Sequence, residues 1–208
     1  SFKKIIKRSP VMKISSRNLV MQESPIRKLA PYADKAKLEG VKVYHLNIGQ
    51  PDIKSPEIMR KAYSNVPEVI AYGPSNGLKE YREKLSAYYS EIGNNITEEN
   101  IFITTGGSEA IVFTLMSALS PGDEIMIPEP FYTNYNGFAA MADVGVVPVT
   151  TEIDNGFHLP SIEVFEEKLT EKTRAIMFSN PGNPTGVVFS REELDGLVRF
   201  AKKHSKQR

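Results

Sequence analysis

Residues 101–129 read IFITTGGSEAIVFTLMSALSPGDEIMIPE. The opening Ile101-Phe102-Ile103-Thr104-Thr105 is a β-prone run. Gly106-Gly107-Ser108 follows at once, and Glu109 to Leu119 reads as a buried helix. Ser120-Pro121-Gly122-Asp123 stops that helix, and Glu124 to Ile127 is the next strand. The pattern then repeats downstream. Asn134 to Met141 reads as a helix, Gly145 to Thr150 as a strand, Pro160 to Leu169 as a helix and Arg174 to Ser179 as a fourth strand. Ser190 caps a last helix, with Glu193 completing a capping box, and Leu194, Leu197, Val198 and Ala201 form its apolar face. Strands that alternate with helices predict βαβ units and a mainly parallel sheet. Ligands bind such sheets at the carboxyl ends of the strands. Three loops lie there: Thr105 to Glu109, Pro128 to Tyr135 and Asn180 to Gly186.

Upstream of residue 101 the signals change. Ser24-Pro25 opens a helix in which Ile26, Leu29 and Ala33 recur at helical spacing, and Gly40 closes it. Val41 to Ile48 is a short extended run, followed by the breaker cluster Gly49-Gln50-Pro51-Asp52. Ser55-Pro56 starts a second helix. Leu78 to Ile92 is amphipathic, with Leu78, Tyr81, Leu85, Tyr88 and Ile92 on one stripe. The basic stretch Ser1 to Val11 is unlike the rest, and Met12 reads as a natural start.

Composition narrows the function classes. The 208 residues hold 26 Lys and Arg against 25 Asp and Glu, so nothing electrostatic points to nucleic acid. The absence of cysteine excludes disulfides, thiolate metal sites and a Cys nucleophile. His45, His158 and His204 are scattered, with no His-x-x-x-His spacing for a metal. The longest mainly apolar run, Ala110 to Leu119, is too short to span a bilayer, and no signal peptide is visible. A cytoplasmic protein without membrane spans is the expectation.

Each loop has a chemical and a plain reading. In Ile103-Thr104-Thr105-Gly106-Gly107-Ser108-Glu109, free backbone N–H groups and a helix dipole converge, and Ser108 adds a hydroxyl. That is a phosphate cradle, although it matches neither Walker A nor GxGxxG. It is equally a tight strand-to-helix turn. In Pro128-Glu129-Pro130-Phe131-Tyr132, two prolines hold two rings at a strand's end. One ring can stack on a planar ligand, or both can be ordinary core. In Ser179-Asn180-Pro181-Gly182-Asn183-Pro184-Thr185-Gly186, two Asn-Pro steps can present an amide, either with a cis bond or as a plain turn. Asn47 to Asp52 and Tyr72-Gly73-Pro74 can offer, respectively, N–H groups and a phenol to an anion.

In this order the strings LNIGQPD, YGPSNGLKEYREKL, TTGGSEA, PGDEIMIPEPFY and SNPGNPTG resemble the class I/II aminotransferases, which use pyridoxal 5′-phosphate. The aspartate aminotransferase-like branch is the nearest likeness, and it covers nearly all of Met12 to His204. The resemblance implies an α/β fold of fold type I. Residues 49–208 would form the large, cofactor-binding domain with a mainly parallel sheet, incomplete at its C-terminus. Residues 1–48 would form an N-terminal arm and part of the small domain. It further implies that Gly107 and Ser108, with Glu109 next, hold the cofactor phosphate. Tyr132 would stack on the pyridine ring, and Asn183 would hydrogen-bond the ring's phenolic oxygen, close to the substrate. Tyr72 would reach the phosphate across a homodimer interface, and the Gly49 backbone would meet the substrate carboxylate.

In this family the lysine that forms the Schiff base, the aspartate at the pyridine nitrogen and the arginine for the substrate carboxylate all lie beyond NPxNPTG. Lys202, Lys203 and Lys206 match none of them. The implied function is therefore the N-terminal part of an enzyme moving an amino group between an amino acid and a 2-oxo acid. Aspartate and aromatic amino acids are both open as substrates. Other enzymes with the same cofactor, such as lyases and synthases, share these motifs, and a non-catalytic regulatory chain is the third reading. The 208 residues alone are expected not to transaminate, and to aggregate or associate through uncovered apolar faces. A specific pyridoxyl-lysine after borohydride reduction would contradict the first expectation.

Overall fold

The computed structural model describes residues 14–22, 27–47 and 49–205. The expectations placed on Met12, Ser24, Pro25, Ile26, Ile48 and Lys206 lie outside the described residues. Two units separate by chain contacts: Lys28–Ala110, and Ile111–Arg208 with the described residues before Lys28.

The Ile111–Arg208 unit is built on three strands, β1 (Glu124–Glu129), β2 (Gly145–Thr150) and β3 (Thr173–Ile176). They form one parallel sheet in the order β2-β1-β3. The central strand reads Glu-Ile-Met-Ile-Pro-Glu, apolar on both faces, as a parallel strand covered on both sides must be. Its alternation divides the core in two. Ile125 and Ile127 pack with Leu115, Leu119, Tyr135 and Ala139. Met126 faces the other way, with Val149, Phe165, Leu197 and Phe200.

Eight α-helices are described: α1 (Ser16–Val20), α2 (Ala30–Leu38), α3 (Glu57–Ser64), α4 (Lys79–Glu91), α5 (Gly107–Ala118), α6 (Asn134–Met141), α7 (Ile162–Lys168) and α8 (Arg191–Ser205). The four expected from α5 to α8 lie within a few residues of their sequence-based bounds. Gly40 takes φ +81° just past α2, the left-handed turn that ends a helix. At α8 the capping box is complete. Ser190 N–H donates to Glu193 at 2.6 Å, and Glu193 N–H donates to Ser190 Oγ at 3.2 Å.

Three expectations need correction. Ile101 to Thr105 is not a sheet strand; it has no ladder partner among the described residues, and Ile103 N–H donates instead to Asn76 O at 3.1 Å. The fourth strand is shorter than Arg174 to Ser179. Met177 makes one further bond to Met126 O, and the chain then turns into its proline-rich loop. Finally, α5 is not buried all round. Leu115 is buried, while Phe113 and Met116 on other faces are 45% and 62% exposed.

Candidate functional site

The loop after β3 is the most highly organised of the candidates. Asn180–Pro181 and Asn183–Pro184 are both cis. Gly182 N–H donates to Val187 O at 2.7 Å, and Gly186 N–H donates back to Gly182 O at 2.8 Å. A Cβ on Gly182 would lie 2.5 Å from Thr185 Oγ1 and 3.0 Å from Val187 Cγ1, so any larger residue here would force the Thr185 side chain to move. The two asparagines then part company. Asn180 Oδ1 accepts from Phe189 N–H at 2.9 Å, so this amide holds the loop shut. Asn183 uses its backbone N–H on Ser179 Oγ at 3.0 Å, and its exposed side-chain amide has no partner among the described residues.

Beside it lies the carboxyl end of β1, where Glu129–Pro130 is also cis. Phe131, Tyr135, Thr151, Phe178 and Asn183 line one hollow there. Phe131 stacks on Tyr135 with ring centroids 6.1 Å apart. Tyr132 meets the same Tyr135 edge-on at 5.5 Å, and its hydroxyl accepts from Asn134 Nδ2 at 2.7 Å. Asn183 and Phe131 are therefore brought together, whereas Tyr132 packs next to this hollow rather than in its lining. Thr151 is a lining residue that sequence reading passed over. It is buried and donates its hydroxyl to Glu129 O at 2.8 Å, bridging the ends of β1 and β2. A β-branched hydroxyl residue one step past a strand was its available signal.

At the start of α8, directly after the proline-rich loop, one carboxylate is held well below its ordinary pKa. Burial raises the Glu193 carboxyl, but hydrogen bonds outweigh it. Ser190, Leu159 N–H at 2.8 Å and His158 Nδ1 at 3.1 Å together hold its pKa from an ordinary 4.5 down to about 2.

In the Lys28–Ala110 unit, Gly106 takes φ +80° and turns the chain into the first residues of α5. Thr104 Oγ1 donates to Gly106 O at 3.0 Å, and Thr105 N–H donates to Glu109 Oε2 at 2.5 Å. Glu109 is thus engaged in shaping the turn. The N–H groups of Gly107 and Ser108 and the Ser108 hydroxyl have no partner among the described residues, and both residues are exposed. Unsatisfied N–H groups at the positive end of a helix dipole attract an anion. Tyr72 stands fully exposed, with no hydrogen bond to the turn, and Gly49 is an exposed loop residue with open space around its Cα.

The family model for aminotransferase class I and II matches residues 41–206. The chain is 34% identical over 191 residues to an aspartate aminotransferase of Thermotoga maritima, covering 89% of this chain and 50% of that protein. It is 35% identical over 182 residues to a (5-formylfuran-3-yl)methyl phosphate transaminase of Methanocaldococcus jannaschii, covering 86% and 47%. Among solved structures, alanine aminotransferase from Pyrococcus furiosus superposes with a TM-score of 0.86 at 31% identity, over 93% of this chain and 50% of that one. The chain spans about half the length of the relatives it matches. A family model spanning most of the sequence and a shared backbone point the same way: the chain belongs to the aminotransferase class I and II family.

Proposed function

We propose that the protein to which these residues belong moves an amino group between an amino acid and a 2-oxo acid with pyridoxal 5′-phosphate, and that this chain supplies the phosphate and ring contacts. The observation that carries the reading is the uncommitted amide of Asn183, held out by a loop that is otherwise closed on itself. An amide left unpaired beside a hollow fits an oriented oxygen such as the cofactor's phenolic oxygen. The free N–H groups of Gly107 and Ser108 fit its phosphate in the same way. The bound cofactor supplies an electron sink for the substrate's bonds.

The chain's own residues bind and orient. Gly107 and Ser108 donate N–H groups, and Ser108 its hydroxyl, to phosphate oxygens. Glu109 keeps the turn in shape through Thr105. Tyr132 offers a flat ring at the end of β1, and Asn183 donates to the phenolic oxygen. Gly49 offers a backbone N–H to the substrate carboxylate. Tyr72 donates its phenol to the phosphate of a neighbouring copy in a homodimer, a role its full exposure supports. Residues 49–208 would be the large domain of the whole enzyme, with 1–48 the arm. Among the described residues no helix is long and apolar enough to cross a membrane, and a cytoplasmic location is part of the same proposal. The family's imine-forming lysine would stand in the length these residues do not span, so transamination is assigned to the whole protein.

Asn183→Ala tests the reading. Titration with pyridoxine 5′-phosphate, which has no aldehyde to trap on surface lysines, should give affinity about tenfold weaker than wild type. Equal affinity would overturn the proposal.

A further inference from the structure

Arg82 is the only charged residue buried among those described, at 6% exposure. It projects from α4, and no carboxylate pairs with it among the described residues. Its guanidinium instead donates to two backbone carbonyls: Nη1 to Glu98 O at 2.6 Å and Nε to Gly77 O at 3.3 Å. A buried cation that neutralises no acid acts through the geometry of its donors. One of those carbonyls belongs to a tight turn. Gly77 takes φ +95°, and a Cβ there would sit 2.3 Å from Ile103 Cγ1. The preceding residue closes the join, since Ile103 N–H donates to Asn76 O at 3.1 Å. Ile103 leads directly into Thr104, Thr105 and the Gly106 turn, whose bonds fix the start of α5. An unbroken series of contacts, all within Lys28–Ala110, runs from the guanidinium to the free N–H groups.

We infer that Arg82 is a positioning residue for the anion-binding terminus of α5: by tying the Gly77 turn to Glu98, with Asn76 beside that turn holding Ile103, it sets the direction of the Gly107 and Ser108 N–H groups. The inference rests on the reading that this terminus holds the cofactor phosphate. Lysine cannot replace the guanidinium, because one ammonium cannot span both carbonyls in the fixed fork that arginine provides.

The test uses two variants of the chain, Arg82→Lys and Ile103→Ala, the second loosening the join at Ile103 while leaving Arg82 in place. Dissociation constants are measured for pyridoxine 5′-phosphate and for pyridoxine, which differ only in the phosphate. Each variant should bind the phosphate ester about tenfold more weakly and keep its affinity for pyridoxine within about twofold. A merely structural role would weaken both ligands together, and that result overturns the inference. So does an unchanged ratio in the variants. If Arg82→Lys fails to fold, Ile103→Ala decides alone. A wild type that binds both ligands equally overturns the phosphate reading itself, and the inference falls with it.

Discussion

Asn180 and Asn183 stand in the same local sequence, each before a proline, and do opposite work. The first spends its amide on Phe189 N–H, nine residues on; the second leaves its amide open. Asn180→Ala should therefore remove a part-buried hydrogen bond and lower stability by about 1–2 kcal/mol, read as a shift in the urea midpoint. Asn183→Ala should leave that midpoint in place and act on ligand binding alone. Local sequence says that this loop is special, because two Asn-Pro steps are rare outside turns. It does not say which amide is free, since that depends on where Phe189 is brought by the return of the chain. Tyr132 makes the same point. Its place at a strand's end is legible, but its edge-on packing against Tyr135 depends on how α6 starts.

Helices with their own start and stop signals were the legible elements. Ser190 and Glu193 announce α8 because a capping box is local chemistry, satisfied within four residues. Propensity alone misplaces Ile101 to Thr105, because it reports side chains that suit a pleated surface, whereas a strand also needs a neighbour. Here Ile103 finds the Asn76 turn instead. The capping carboxylate carries a pH signature. Glu193 has a folded pKa of about 2 against an ordinary 4.5, so the unfolded chain binds its proton more readily. Its contribution to stability is fully present above pH 4.5 and is lost as pH falls from there through about 2. Stability measured across that window should fall less steeply in Glu193→Gln, which should also be less stable than wild type at pH 7. Identical acid slopes would count against the carboxylate's role.

Over the whole molecule, the α/β class and parallel sheet follow from strands alternating with helices after residue 101, and the structural relatives agree. The amphipathic stripe from Leu78 to Ile92 does mark the helix α4, yet Leu78, Tyr81, Tyr88 and Ile92 are all more than half exposed. Sequence periodicity marks a face that needs covering and does not say by what. Val69 and Ile70, close in sequence to the fully exposed Tyr72, are further exposed apolar side chains of Lys28–Ala110. Exposed apolar surface of this extent drives association. Light scattering on the purified 208 residues should report dimers or larger species, and a monodisperse monomer at micromolar concentration would contradict that. The central claim is that this chain carries the phosphate and ring contacts of a pyridoxal-phosphate site. The most direct measurement is to follow assigned amide resonances while pyridoxine 5′-phosphate is added. The account requires saturable shifts at the Gly107 and Ser108 backbone and at the Asn183 side chain. Shifts confined to other residues, or none at all, would contradict it.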